Sequence, residues 1–317
     1  MTTERTGRQK VLYVIGWGRS GSTLLDTLLG EVDGFFSSGE LHNIWQEGLT
    51  EGRKCGCGRP VVACPVWSEV LAGVFSDPGS LNLAEIIRWQ NEELRTRHTW
   101  RVMRSSSGDR VPSRALLRSA DVMERLYRKV GEVTGAEVVV DSSKVPSNAA
   151  LLELMPGIEP FFLQLVRDPR ASAFSWQRQK ARLDLHEAEG MPRFGLTKSS
   201  LNWLAFNAAG EALRRRHPRR SYLLRYEDLM AKPQDTVGGI VRFVGGTDRT
   251  LPFADERIAH VRENHTVSGN PSRFRTGRIE IREDDEWKSS QSPLRRAFVV
   301  ALSLPLLHRY RYPIRLV

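Results

Sequence analysis

Residues 16–23 read Gly-Trp-Gly-Arg-Ser-Gly-Ser-Thr, and they stand between two stretches of opposite periodicity. Before them, residues 11–15 (VLYVI) are β-prone and carry no charge, which predicts a strand buried on both faces. After them, residues 22–29 place apolar side chains at helical spacing. Strand, glycine turn and helix form a restrictive frame. The glycines let backbone N–H groups turn inward and the helix N-terminus adds partial positive charge, so such a turn is built to hold an anion. It has the G-x-x-x-x-G spacing of a nucleotide phosphate loop, but Ser22-Thr23 stands where those loops carry Lys-Ser/Thr. A γ-phosphoryl transfer site needs that lysine, and a magnesium ion held by an acidic residue at a neighbouring strand end. Here Ser22 occupies the lysine position and Arg19 projects a cation from mid-loop. The loop suits one terminal phosphate with a transferring group beside Arg19 better than it suits a triphosphate.

Strands and helices alternate along the rest of the chain. Residues 34–38 (GFFSS), 137–140 and 160–166 read as further strands, and 220–229 as a strand and turn. Helices are expected at 82–103, 113–134, after Pro146, from Pro169 with Asp168 as its cap, and at 197–216, 233–245 and 293–304. Past residue 245 the pattern loosens, and 265–287 reads as a basic, glycine-containing loop. Near-continuous apolar strands in strand–turn–helix order imply an α/β fold: a P-loop-like, three-layer arrangement with a central, mainly parallel sheet flanked by helices. No Pro/Ser-rich linker divides the chain, so residues 11–317 are expected to form one domain after a flexible 1–10. Ligands of such sheets bind beyond the carboxyl ends of the strands. The polar clusters at 16–23, 39–42, 141–144, 167–175 and 225–228 therefore belong to one prospective site.

Composition narrows the function classes only a little. The 317 residues carry a net charge of +10 at a pI near 9.9 and a mean hydropathy of −0.38, a balance that favours a polyanionic partner. No apolar run approaches the roughly 20 residues that span a bilayer. No apolar segment precedes the first strand either, so a cytoplasmic protein without a signal peptide is expected. Cys55, Cys57 and Cys64 cluster in RKCGCGRPVVACPVW. Three thiolates lack the fourth ligand of a structural zinc site, for which His42 is a candidate. A disulfide is unusual in a reducing cytosol, and reduced thiols packed in a turn are the simplest reading, so no metal is assigned.

The loop Gly18-Arg19-Ser20-Gly21-Ser22-Thr23 after a buried strand resembles the 5′-phosphosulfate loop of sulfotransferases that use 3′-phosphoadenosine 5′-phosphosulfate (PAPS). LVRDPRASAFS is similar to the family's 3′-phosphate segment, an arginine at a strand end followed eight residues later by a helical serine, here Arg167 and Ser175. An arginine fork and a directed hydroxyl suit a phosphate monoester. NPSRFRTG looks like the family's loop over the 3′-phosphate, which implies Arg273, Arg275 and the backbone near Gly277. DSSK resembles the strand end that carries a lysine toward the sulfuryl group, implying Lys144. The resemblance runs from about residue 11 to 288. Residues 82–134 and 181–199 match no part of it and are expected to form the acceptor pocket, with 178–200 either a lid or a plain surface loop.

Sulfuryl transfer needs a base for the acceptor hydroxyl and cations for the transferring group. Phenol and steroid sulfotransferases place a histidine shortly after the lysine, whereas this chain has Val145-Pro146-Ser147 there. Family members acting on carbohydrates and other hydroxyls often use a glutamate, and the bacterial-type resemblance lies closer to these. Glu40, after the second strand and near the loop, is the expected general base. His42 is the runner-up, with a side chain that titrates near neutrality. Of Trp176, Trp203 and Phe206, one can stack on adenine or on an acceptor ring, or all can be core.

The resemblance implies PAPS as donor, 3′-phosphoadenosine 5′-phosphate (PAP) as product, no metal in the transfer, and a small-molecule, carbohydrate or lipid hydroxyl as acceptor. It implies neither a nucleic-acid partner nor a membrane span. A P-loop-type kinase with an altered loop is the alternative, and it leaves Arg167 and Ser175 without a role. A nucleic-acid binder is the third reading, and it leaves Glu40 without one.

Overall fold

The structure, a computed structural model, describes residues 7–75, 82–178, 183–184, 190–245 and 249–314. β1 (Gln9–Ile15) leads through the glycine turn into α1 (Ser22–Gly30) and β2 (Phe35–Ser37). Four helices follow: α2 (Pro65–Val74), α3 (Leu83–Glu93), α4 (Thr99–Ser106) and α5 (Arg114–Thr134). Then come β3 (Val138–Lys144), α6 (Pro146–Leu151), β4 (Ile158–Val166) and α7 (Pro169–Gln177). The chain continues as α8 (Leu196–Arg216), β5 (Ser221–Arg225), α9 (Tyr226–Ala231) and α10 (Pro233–Phe243). Short strands β6 (Phe253–Asp255), β7 (Ile258–Val261) and β8 (Gly277–Glu280) precede α11 (Trp287–Ser290) and α12 (Pro293–Leu307).

The first five strands form one all-parallel sheet in the order β2-β3-β1-β4-β5. This is the expected three-layer α/β arrangement. Alternation within the apolar run of β1 serves both faces of the sheet: Val11, Tyr13 and Ile15 join the core under α2 to α6, while Leu12 and Val14 join the core under α1 and α10. Every one of these five side chains is at most 1% exposed. Truncating one of them, Leu12→Ala for instance, costs about 2–5 kcal/mol.

Local chemistry sets several boundaries. Asp168 accepts a hydrogen bond from the Arg170 amide ahead of Pro169, so β4 stops where α7 begins. Ser113 caps α5 through the Leu116 amide, and Gly135 ends that helix at φ +70°.

Three expectations need correction. The helix expected at 82–103 is two helices, α3 and α4, separated by a 3-10 turn at Thr96–His98. β3 runs past the expected end at residue 140, through the polar cluster Asp141-Ser-Ser-Lys144, because its Ser142 amide still bonds the Gly39 carbonyl and Lys144 still pairs with Ile15. The loose region past 245 holds the antiparallel sheet β6-β7-β8, whose strands of three or four residues are too short for a periodicity to register.

A segment distant in sequence extends the sheet edge. Val267 donates its amide to the Ser38 carbonyl (2.9 Å) and accepts from the Glu40 amide (2.7 Å), so residues 265–270 lie alongside the end of β2.

Candidate active site

A cavity of about 830 Å³ opens at the carboxyl ends of β1, β3 and β4. Its floor is the glycine turn. Gly18 lies so close to the Trp176 ring that a Cβ would sit 2.5 Å from it, and the Trp176 indole donates to the Gly18 carbonyl (3.1 Å). Gly21 has φ +88° and would place a Cβ 2.5 Å from the Tyr226 ring. Only glycine satisfies both demands there. α1 begins without any side-chain cap, so its first-turn amides, with the Ser22 and Thr23 hydroxyls, are left facing the cavity. Ser20 is buried and donates to the Trp17 carbonyl (2.6 Å), tightening the loop from behind; it does not line the cavity.

Arg19 and Lys144 both hold left-handed backbone conformations, with φ +68° and +71°. For non-glycine residues this stores on the order of 1–3 kcal/mol each, and such strain collects where geometry serves function. The Arg19 guanidinium lies 4.9 Å from the Trp176 ring centroid and reaches the Met191 sulfur at 3.4 Å. Burial draws its pKa down, with the Glu40 carboxylate acting in the opposite direction. Lys144 Nζ contacts Glu40 Oε1 at 2.5 Å and donates to the Ser142 carbonyl at 2.8 Å. The other Glu40 carboxylate oxygen accepts from the Asn43 side-chain Nδ2 (3.3 Å). Glu40, Lys144 and Arg19 all line the cavity.

His42 does not line it. Its backbone amide bonds Ser143 Oγ and its carbonyl accepts from Gln90, while its Nδ1 is buried without a partner. Burial holds this imidazole below the ordinary histidine range. The runner-up base is therefore a packed residue beside the site.

Arg167 leaves the end of β4 and lines a second part of the same cavity with Ser175 of α7. Its guanidinium lies 4.2 Å from the Tyr226 ring centroid, donates to the carbonyls of Arg19 (3.1 Å) and Asp284 (3.0 Å), and pairs with the Asp284 carboxylate at 3.4 Å. Trp203 is core, and its indole donates to the Arg167 carbonyl (2.8 Å). Glu227 accepts from the Asp168 amide and the Tyr312 hydroxyl, and burial raises its pKa. It therefore ties the first turn of α9 to the start of α7.

The C-terminal basic segment is only partly where the resemblance implied. Arg275 lines the cavity. Arg273 does not: it is 1% exposed and its guanidinium donates to the carbonyls of Thr266 and Lys54. Gly277, at φ +86°, opens β8 and also stays off the lining. Ser268, Gly269 and Asn270 take that wall, with the Asn270 amide 3.4 Å from Thr23 Oγ1. Neither they nor Asp284 were singled out from the sequence, whereas Tyr226, inside the expected cluster 225–228, does line the cavity. The one available signal for Asp284 was an acidic run inside an otherwise basic stretch. Residues 82–134 supply no part of the lining, whereas Leu183, Met191 and Pro192 do. Of the expected lid at 178–200, residues 179–182 and 185–189 lie outside the described residues.

The thiols of Cys55, Cys57 and Cys64 are free, and the histidine among them is His265, not His42.

Chemically, the cavity offers uncapped helix amides and hydroxyls at one point, a guanidinium and a hydroxyl at another, and a carboxylate in contact with an ammonium group between the strand ends. That set can hold two anionic centres and exchange a proton.

The model of the sulfotransferase family matches residues 12–249. No curated protein matches the chain by sequence. Among solved structures, a sulfotransferase domain from the curacin biosynthetic pathway aligns with a TM-score of 0.54 at 16% identity, covering 98% of this chain and 100% of its own. A sulfotransferase domain from the Synechococcus PCC 7002 olefin synthase aligns with 0.53 at 18% identity, covering 99% and 98%. These two likenesses concern the fold.

Proposed function

The chain belongs to the sulfotransferase family, and on that premise we propose that it moves a sulfuryl group from PAPS to a hydroxyl acceptor. One observation carries this reading: the uncapped turn with Ser22 and Thr23, and the Arg167/Ser175 pair, line a single cavity with Glu40 and Lys144. The residues fit such a nucleotide. A Cβ at Gly18 or Gly21 would strike the Trp176 or Tyr226 ring, so the turn keeps a bare backbone at the cavity floor, and Arg167 offers a fork for a phosphate monoester at a separate point.

PAPS, when bound, supplies an activated sulfuryl group on its 5′-phosphate. The turn amides, Ser22 and Thr23 hold the 5′ end, and Arg167 with Ser175 holds the 3′-phosphate. Arg19 and Lys144 neutralise charge that grows on the transferring group and the leaving phosphate. Glu40 takes the acceptor proton. In the present structure its carboxylate is engaged by Lys144. An anion held beside Lys144 would compete for that ammonium group and free the Glu40 carboxylate for the acceptor proton. Leu183, Met191, Pro192 and Phe274 also line the cavity, and these apolar side chains favour an acceptor hydroxyl carried on an apolar body.

The kinase reading is disfavoured by Asp141, the acidic residue near the end of β3. Its oxygens accept from Tyr127, and from the amide and hydroxyl of Ser143, and burial raises its pKa, so it is not free for magnesium.

Calorimetry with PAP, AMP and ATP, followed by transfer of labelled sulfate from PAPS to a panel of hydroxyl acceptors, tests the proposal. PAP should bind most tightly and without magnesium. Equal binding of PAP and AMP would remove the 3′-phosphate site and the assignment with it.

A further inference from the structure

The three cysteines and His265 meet away from the cavity lining, and the sulfuryl-transfer chemistry does not use them. Cys55 opens a tight turn in which its amide donates to the Arg59 carbonyl (2.7 Å) and its carbonyl accepts from Gly58 (2.9 Å). That turn brings Cys57 back toward Cys55. Cys64 stands just before Pro65 at the head of α2. His265 arrives from 201 positions later, with Nδ1 3.3 Å from Cys64 Sγ and 4.0 Å from Cys55 Sγ. All four donor atoms lie within 4.8 Å of one another.

We propose that Cys55, Cys57, Cys64 and His265 bind one zinc ion in a closed Cys3His site that staples the cysteine loop to residues 264–275. Zn–S bonds of about 2.3 Å and Zn–N bonds of about 2.0–2.1 Å put the donors of a tetrahedron roughly 3.5–3.8 Å apart. The observed separations need only a small closure to reach this. Three thiolates with one imidazole, and no carboxylate in the group, select zinc over the hard oxygen-seeking cations. Four protein donors leave no open coordination position, so the ion is structural. Three thiols also cannot all be satisfied by a disulfide, whereas one metal satisfies all three.

The staple has something to hold. The Trp67 indole donates to the His265 carbonyl (2.6 Å), the Gly56 amide to the Thr266 carbonyl (2.9 Å), and Arg273 to the Lys54 carbonyl (2.7 Å). Two residues past His265, Val267 bonds Ser38 and Glu40, and Ser268, Gly269 and Asn270 then form a cavity wall. The ion thus fixes, through backbone, the strip that seats Glu40. Neither the geometry nor the test depends on what the cavity transfers.

The full chain, purified under reducing conditions without chelating resin or chelator, is analysed for metal by mass spectrometry of the elements. About one zinc per chain is expected. Cobalt exchanged into the wild-type protein should give thiolate-to-metal charge-transfer bands and the intense ligand-field bands of a tetrahedral site. Cys64→Ser should lose the zinc, and His265→Ala should surrender it to a chelator concentration that wild type withstands. If the variants do not fold, the wild-type zinc content and the cobalt spectrum decide alone. Metal-free wild-type protein, a Cys55–Cys64 disulfide detected as a two-hydrogen mass deficit, or an unchanged zinc content in folded Cys64→Ser would overturn the proposal.

Discussion

Glu40 Oε1 and Lys144 Nζ lie 2.5 Å apart although the two residues are 104 positions apart in sequence. One follows β2 and the other ends β3, and parallel pairing of these strands brings them to the same end of the sheet. Both side chains are mostly shielded from water, at 20% and 13% exposed, so each is held by its partner rather than by solvent. In the proposed reaction this pair would have to separate before Glu40 could accept a proton.

Glu40→Gln keeps the side-chain shape and removes the proposed base. It should fold normally, bind PAP within a few-fold of wild type, and lose at least about 100-fold in turnover. Initial rates beside a PAP titration check this, and near-normal turnover would place the base elsewhere.

Lys144→Met and Arg19→Met should each lower turnover by about 100–1,000-fold, the effect of removing a group that stabilises developing charge. The loss should appear in kcat with little change in PAP affinity. An effect confined to KM would mean uniform binding of the nucleotide instead.

Arg167→Ala should weaken PAP by roughly 10–100-fold, as loss of about 1.5–3 kcal/mol from a charge-assisted contact requires, and leave AMP nearly unchanged. Asp284→Asn should move PAP in the opposite direction, because that carboxylate already engages Arg167 at 3.4 Å. Calorimetry on both variants reads the pair, and parallel losses for PAP and AMP in Arg167→Ala would contradict the assignment.

Asp26, buried in α1 with Oδ1 unpartnered, has its pKa raised by burial from 3.8 to about 7. Ser37, Asp141, Lys144 and Ser142 are its polar neighbours. Between these two values the unfolded chain has lost the proton that the folded chain keeps. The stabilisation is therefore complete below about pH 4 and is lost as pH rises through 7, by up to about 4 kcal/mol. Asp26→Asn should flatten that decline and be the more stable protein above pH 7. Denaturant midpoints for both proteins across this range provide the check, and parallel pH profiles would contradict it.

Local patterns in the chain announced the frame. An uncharged β-prone run, a glycine turn and a helix repeat are properties of neighbouring residues, so the parallel sheet, the strand–glycine-turn–helix unit and the Asp168–Pro169 helix start were all legible from spacing. The cluster of polar strand ends followed from the same logic, since parallel strands end on one side. Arg273 and Arg275 could not be told apart in this way. They are two positions apart in one basic loop, and only the packed carbonyls of Thr266 and Lys54 decide that one is internal. The partner of Glu40, the carboxylate against Arg167 and the imidazole among the three cysteines all come from distant segments. Which side chains meet across 100 or 200 positions depends on strand register and loop docking, long-range choices that leave no periodic trace in the residues themselves.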